Sequence, residues 1–138
     1  MRAGELIFVD TGAWIALALT RDPLHARARH TWEQLLGAGV RFYTSVPIVI
    51  ETFTFLDRNA VRTVALTWKD SLKTVPRLKI LPCTPSDLQG AWAYFDRPDF
   101  HKLSAVDALS FVVMAERRIR VAFAFDSHFA TAGFRMVG

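Results

Sequence analysis

The chain has little cysteine: Cys83 is the only one among 138 residues. A lone cysteine cannot form an intramolecular disulfide, and thiolate zinc sites need several cysteines or cysteines with histidines. The four histidines are dispersed without metal-ligand spacing, and no Gly-x-Ser-x-Gly segment indicates a Ser–His–Asp hydrolase. A glycine-rich dinucleotide-binding fingerprint is missing as well. These absences argue against disulfide scaffolds, thiolate zinc sites, serine hydrolases and dinucleotide-binding proteins.

Long hydrophobic runs are also absent. The first apolar stretch is interrupted at Asp10 and Gly12, and the next, Ala13 to Leu19, is too short to span a bilayer. Hydrophobic residues nevertheless make up 51% of the chain, which is ample for a core. We therefore expect a soluble, cytoplasmic protein without membrane association, folded as a single domain over residues 1–138.

The charge balance is basic, with 17 Lys and Arg against 13 Asp and Glu. A pI near 9.7 favours a polyanionic partner such as nucleic acid, although a merely basic soluble protein fits the charge equally well.

Short apolar segments alternate with segments of helical periodicity. The predicted strands are Leu6 to Val9, Phe42 to Thr44, Leu78 to Leu81, Val121 to Phe125 and an edge strand at Arg135 to Val137. The predicted helices are Ala13 to Leu19, one starting at Asp22, Ile48 to Leu56, Val61 to Leu72, one opened by Pro85 with the apolar face Leu88, Ala91, Trp92 and Phe95, and Ser104 to Glu116. This alternation predicts an α/β fold, a three-layer α/β/α sandwich with a mainly parallel central sheet.

Two apolar strands end in the same way, with an aspartate followed by a hydroxyl residue. Asp10-Thr11 follows the first strand, and Asp126-Ser127 follows the late one. Ligands of open α/β sheets bind at the carboxyl ends of the strands. If the two strands are neighbours, both carboxylates share one edge of the sheet. The alternative is that each aspartate only caps the helix that follows.

Two further acids lie on apolar helices. Glu51 belongs to a segment that is apolar almost all round, which predicts a buried helix and a carboxylate in need of a partner or a cation. Asp107 stands in the apolar segment Ser104 to Ser110, where its spacing from Ser104 also fits a capping box. An exposed stripe for Glu51 and a capping role for Asp107 are the competing interpretations.

Together the four acids predict a metal site. Carboxylates gathered at one spot repel each other unless a cation is present. Oxygen-only ligands favour Mg²⁺ or Mn²⁺ over zinc, and such ions commonly serve phosphodiester hydrolysis.

The chain resembles the PIN-domain ribonucleases, and within them the VapC-type toxins of toxin–antitoxin pairs. The matching segments occur in the family's order: Phe8-Val9-Asp10-Thr11, Pro47 to Glu51, Ser104 to Ser110, and Ala124 to Phe129 leading to Gly133-Phe134. The resemblance covers nearly the whole chain.

The resemblance implies a PIN fold and a Mg²⁺- or Mn²⁺-dependent endoribonuclease. It also implies RNA as substrate, a homodimer, and an antitoxin whose C-terminal segment lies across the helices near the site. The implied metal ligands and catalytic residues are Asp10, Glu51, Asp107 and Asp126, with Asp10 and Asp107 central. Thr11, Ser104 and Ser127 would supply hydroxyls that orient carboxylates or water.

Four other residues are candidate RNA contacts: Trp14, His128, Arg117 and Arg118. Trp14 lies close behind Asp10 and His128 follows Asp126, although a tryptophan on a predicted helix more often packs in a core or a dimer contact. The two arginines also suit the dipole at a helix C-terminus, which needs no RNA.

Three alternatives stay open at this point. A PIN domain in RNA processing would carry the same motifs, and so would a catalytically silent RNA-binding module. A phosphotransfer protein also places aspartate at strand ends. Its usual signatures are missing here, because Gly12 stands where a phosphatase would have a second aspartate and Asp10 has no adjacent acid.

Overall fold

The structure is a computed structural model that describes residues 1–138, and its centre is a five-stranded, all-parallel sheet in the order β3-β2-β1-β4-β5. The strands are β1 (Leu6–Val9), β2 (Arg41–Ser45), β3 (Leu78–Leu81), β4 (Val121–Phe123) and β5 (Arg135–Val137). The helices are α1 (Thr11–Ala18), α2 (His25–Ala38), α3 (Val46–Asn59), α4 (Arg62–Ser71), α5 (Pro85–Trp92), α6 (Ala105–Glu116) and α7 (His128–Thr131). Short 3₁₀ turns follow α4 and α5, at Leu72–Thr74 and Ala93–Asp96.

The helices form two layers, one on each face of the sheet. The chain runs from β1 through β2 to β3 in one direction, then crosses back to β4 and β5 on the other side of β1. Because parallel crossovers are right-handed, this reversal moves the helices to the opposite face. Helices α1 to α4 accordingly contact one another, whereas α5 contacts α6 and α6 contacts α7. The predicted three-layer α/β/α sandwich is confirmed.

The central strands are buried on both faces, as their continuous apolar sequences predict. Ile7, Phe8 and Val9 of β1 are fully buried, and so are Ala122 and Phe123 of β4. A hydrophobic core of 25 residues surrounds these strands, which fixes the strand ends that carry the acids.

The tryptophan cluster lies in the layer of α1 to α4. The Trp14 ring is centred 5.7 Å from Trp32 and 5.9 Å from Trp68, both at steep interplanar angles. The Trp14 indole Nε1 donates to Thr44 Oγ1 at 3.2 Å, and this hydroxyl donates to the Val9 carbonyl at 3.0 Å. The chain of bonds ties α1 to the carboxyl ends of β1 and β2.

Several predicted bounds are shifted. Helix α2 begins at His25 rather than Asp22, because the Asp22 carboxylate accepts from the Leu24 amide at 2.8 Å and makes a turn before the helix. Helix α1 begins two residues earlier than predicted, with Asp10 in the N-cap position. Strand β4 ends at Phe123, so the predicted extension to Phe125 is wrong.

Two predicted helix faces differ from the structure. The apolar face of α5 is exposed at Leu88 and Trp92, because the helix packs on α6 through Ala91 and through Gly90, whose position lets Val112 approach closely. Phe95, in the following 3₁₀ turn, is exposed as well.

The second predicted helix face that differs is that of α3, which is not buried all round. This helix buries Ile48, Thr52 and Leu56 but exposes Ile50. Both helices therefore present apolar side chains at the surface. No helix is long and apolar enough to cross a membrane.

Candidate active site

The four acids are carried by elements that converge where the strand order reverses. The Asp10 amide donates to the Phe123 carbonyl at 3.0 Å, so the ends of β1 and β4 are directly joined. Asp10 follows β1, and Asp126 lies three residues past β4. Asp107 lies in the first turn of α6, and Glu51 lies in the second turn of α3. A crevice beside such a reversal is the usual ligand site of an open parallel sheet.

Asp10 is buried without being used as a helix cap. It occupies the N-cap position of α1, yet its side chain makes no capping hydrogen bond. Its exposed fraction is 4%, and its Oδ1 atom has no hydrogen-bond partner. Its pKa is raised to about 7, mainly by burial; the negative charges of Glu51 and Asp126 add to the rise, and the amides of Thr11 and Gly12 counteract it in part. The capping interpretation therefore does not account for Asp10.

Asp107 and Asp87 occupy the same third position of their helices but behave differently. At α5, the Thr84 hydroxyl accepts from the Asp87 amide and the Asp87 carboxylate accepts from the Thr84 amide, which completes a capping box. At α6, the Ser104 hydroxyl accepts from the Asp107 amide at 3.0 Å, but the carboxylate makes no return bond.

The pKa values of Asp87 and Asp107 are shifted in opposite directions, in keeping with this difference in hydrogen bonding. Backbone hydrogen bonding at Thr84 lowers the pKa of Asp87. Burial, followed by the charges of Asp10 and Asp126, raises the pKa of Asp107 to about 8. Asp107 is thus turned towards other carboxylates instead of serving its own helix.

Glu51 is half-buried and held by a hydroxyl from another element. Thr11 Oγ1 donates to Glu51 Oε1 at 2.5 Å and so joins the start of α1 to α3. Thr11 itself is buried. This is the role predicted for Thr11, that of orienting a carboxylate in the cluster.

Asp126 is accessible to solvent, with 42% of its side chain exposed, and it pairs with His128 at the start of the next helix. Its Oδ1 accepts from the His128 amide at 2.8 Å and lies 3.0 Å from His128 Nδ1. Potential ligand atoms of Asp107, Asp126 and His128 lie within 4.8 Å of one another. The sequence indicated His128 only as a possible RNA contact; the spacing of the histidines gave no sign of this grouping.

The cluster fits a divalent cation by its own chemistry. Buried, mutually repelling carboxylates retain protons near neutral pH, and Asp10 Oδ1 is left without any hydrogen bond. A cation among them would remove the repulsion and supply a partner for that atom. Carboxylate oxygens are the ligands that hard divalent ions prefer.

The remaining predicted site residues lie in varied positions. Ser104 contacts the Asp107 backbone rather than a carboxylate, and the exposed Ser127 has no side-chain bond to the acids. Trp14 is only 3% exposed within the tryptophan cluster, so it packs in the core, the role that its position on a predicted helix favoured over an RNA contact. Arg117 and Arg118 follow the far end of α6, about 15 Å along the axis from Asp107 at 1.5 Å per residue.

Comparison with known proteins gives the family. The PIN domain model matches residues 7–135, so the chain belongs to the PIN-domain family. A relative that is 36% identical over 135 residues is the 23S rRNA-specific endonuclease VapC20 of Mycobacterium tuberculosis, and the match covers 94% of this chain and 95% of that one. The chain is therefore a VapC-type PIN-domain protein.

Solved structures agree on the fold. The crystal structure of Mycobacterium tuberculosis VapC20, described as a sarcin–ricin loop cleaving toxin, superposes with a TM-score of 0.82 at 32% identity, covering 93% of this chain and 95% of that chain. VapBC2 from Rickettsia felis, bound to a DNA fragment of its promoter, matches with a TM-score of 0.71 at 10% identity and covers 96% and 97%. The second likeness shows the fold alone.

Proposed function

We propose that this chain is a divalent-metal-dependent endoribonuclease, using Mg²⁺ or Mn²⁺, and the toxin of a toxin–antitoxin pair. The observation that carries the proposal is the buried carboxylate cluster: Asp10 Oδ1 has no partner, and the pKa values of Asp10 and Asp107 are raised. Residues 1–138 would act as one domain. The proposed ligands are Asp10, Glu51, Asp107 and Asp126.

The roles of the residues follow from their surroundings. Asp10 and Asp107 are the most buried acids of the cluster, so they would hold the principal cation, which when bound supplies charge neutralisation and activation of water for phosphodiester hydrolysis. Glu51, fixed by the Thr11 hydroxyl, and the accessible Asp126 would orient water beside it. No side chain is needed as a covalent nucleophile.

The proposed substrate is the sarcin–ricin loop of 23S rRNA. The support is the likeness over 94% of the chain to VapC20, whose name and structure specify 23S rRNA and that loop. An exposed loop also suits an enzyme that needs access to an unpaired backbone, and the basic charge balance suits any RNA.

The substrate proposal is tested with ribosomal RNA. We expect the purified chain to cut 23S rRNA once, within this loop, when the cleavage site is mapped by primer extension. An RNA hairpin with the loop sequence scrambled serves as the control and should stay intact. Cleavage of 23S rRNA at many unrelated sites would contradict the choice of substrate while leaving the nuclease activity in place. Equal cutting of the scrambled hairpin and of a hairpin with the natural loop sequence would do the same.

We also propose an antitoxin partner, which would bind the apolar groove between α1, α2 and α4. The groove encloses about 580 Å³, and its walls include Trp14, Trp32, Leu36, Val61, Val64 and Trp68. An amphipathic helix from a partner would bury its apolar face in such a groove.

The antitoxin proposal is tested with two matched variants, one at the residue that precedes α4 and one within this helix. Val61 lines the groove and is 69% exposed, whereas Leu66 is 43% exposed and does not line it. Val61→Glu should weaken binding of the protein encoded beside this gene and relieve its inhibition of cleavage. Leu66→Glu should change neither, and equal effects of both variants would contradict a docking site in the groove.

We further propose a homodimer that covers the exposed apolar side chains of α5. Leu88 and Trp92 are 41% and 47% exposed on this helix. Sedimentation velocity should show a dimer that Trp92→Glu dissociates. A monomer at high concentration in the unmodified protein would contradict the proposal.

A further inference from the structure

His128 adds a nitrogen atom to the border of the carboxylate cluster. It is the first residue of α7, two residues after Asp126, and only 19% of its side chain is exposed. The ring packs beside Phe100, with centroids 5.9 Å apart. Its position is therefore fixed by packing as well as by polar contacts.

The contact on one side of the ring determines which nitrogen carries the proton. His128 Nε2 lies 2.8 Å from the His101 carbonyl oxygen. A carbonyl can only accept a hydrogen bond, so Nε2 must donate. In the neutral imidazole, Nδ1 then holds a free lone pair.

Nδ1 lies next to the acids, and no hydrogen bond from the protein satisfies it. Nδ1 is buried and has no hydrogen-bond partner, although Asp126 Oδ1 is only 3.0 Å away. An ionised carboxylate is also an acceptor, so two electron-rich atoms lie side by side. A positive charge close to both atoms, either a proton on Nδ1 or a cation bound by both, removes their repulsion.

The geometry suits a shared divalent ion. Adjacent ligands of an octahedral ion with bonds of about 2.1 Å lie about 3.0 Å apart, close to the separation found here. Asp107 supplies a third ligand atom, and the three atoms lie within 4.8 Å of one another. Metal-binding histidines characteristically donate their other ring N–H to a backbone carbonyl, as His128 does.

We propose that His128 Nδ1 is a nitrogen ligand of the divalent cation held by Asp107 and Asp126, an inference that rests on the proposed metal-dependent function. Imidazole nitrogen is a softer donor than carboxylate oxygen and favours first-row transition ions over Mg²⁺. The site should accordingly bind Mn²⁺ more tightly than Mg²⁺. His128 accounts for that preference, whereas the carboxylates account for binding either ion.

The test is pulsed electron paramagnetic resonance of Mn²⁺ bound to the whole chain, which detects the nuclear modulation of a coordinated imidazole nitrogen. We expect this modulation in the unmodified protein and its loss in His128→Gln. Titration should show Mn²⁺ affinity about tenfold weaker in that variant, within the range for lost metal-site partners. The Mg²⁺ affinity should change less.

The matched control is His30→Gln, an exchange at an exposed position of α2, which should leave the modulation and both affinities unchanged. If Mn²⁺ binds and Asp107→Asn abolishes the binding, but no nitrogen modulation appears, the proposal for His128 is overturned and the proposed function stands. An imidazolium paired with Asp126 would give this result. If Mn²⁺ does not bind at all, both fail.

Discussion

Replacing Asp10 by asparagine should stabilise the metal-free protein by an amount that grows as pH rises from about 4 to about 7. The pKa of Asp10 rises from 3.8 to about 7 in the folded chain, mainly through burial. The folded protein therefore keeps a proton that the unfolded chain has already lost. Asp10 therefore lowers the free energy of unfolding as pH rises from about 4 to about 7, and its own contribution is then constant.

The magnitude follows from the size of this pKa change. Each pKa unit corresponds to about 1.4 kcal/mol, so the cost at high pH is about 4 kcal/mol. About 3 kcal/mol of this develops between about pH 5 and pH 8. For a domain of this size that corresponds to a fall in Tm of roughly 10 °C.

The assay is thermal unfolding in EDTA across this pH range for three proteins. The Tm of the unmodified chain should fall towards pH 8. The Tm of Asp10→Asn should fall less, and its remaining fall comes from Asp107, whose pKa is also raised. The exposed ion-paired acid Asp70 provides the control, because Asp70→Asn should follow the unmodified profile. At pH 8, Mg²⁺ or Mn²⁺ at a hundred times its Kd should restore about 2.7 kcal/mol to the unmodified protein alone. A flat profile shared by the unmodified chain and Asp10→Asn would refute the reasoning.

Three further predictions concern single residues. Trp14→Ala should lower the free energy of unfolding by about 3–5 kcal/mol, measured by denaturant titration, because it removes a buried ring between Trp32 and Trp68. Thr84→Ala should cost about 1 kcal/mol in the same assay through loss of the α5 capping box, with cleavage unchanged. Thr11→Val should weaken metal binding in calorimetry, because Glu51 loses the hydroxyl that orients it, while a serine at this position should retain it. Unchanged metal affinity in Thr11→Val would show that this hydrogen bond is only structural.

The fold could be predicted because its signals are local. Four apolar residues in β1 and three of the four residues in β3 indicate strands without reference to the rest of the chain. The predicted bounds were wrong mostly at helix starts, where a single side chain decides the outcome. The Asp22 turn before α2 is one such case.

The roles of individual acidic residues could not be predicted from their spacing in the sequence. Ser104-Asp107 and Thr84-Asp87 have identical spacing, yet only the second forms a complete capping box. The difference depends on Asp10 and Asp126, which lie close to Asp107 only in the folded chain. Likewise, the role of His128 depends on a carbonyl 27 residues away in the sequence, and burial alone decides that Trp14 belongs to the core.

The measurement that tests the central claim most directly compares Asp107→Asn with Asp87→Asn. Both exchanges remove a carboxylate from the third position of a helix, but only Asp107 belongs to the cluster. Cleavage of loop RNA is followed with Mg²⁺, with Mn²⁺ and with EDTA, after both variants are shown to be folded. We expect Asp87→Asn to cut RNA whenever either ion is present, and Asp107→Asn to be inactive throughout. Full cleavage by Asp107→Asn, or cleavage by the unmodified chain in EDTA, would contradict a metal-dependent ribonuclease acting at this site.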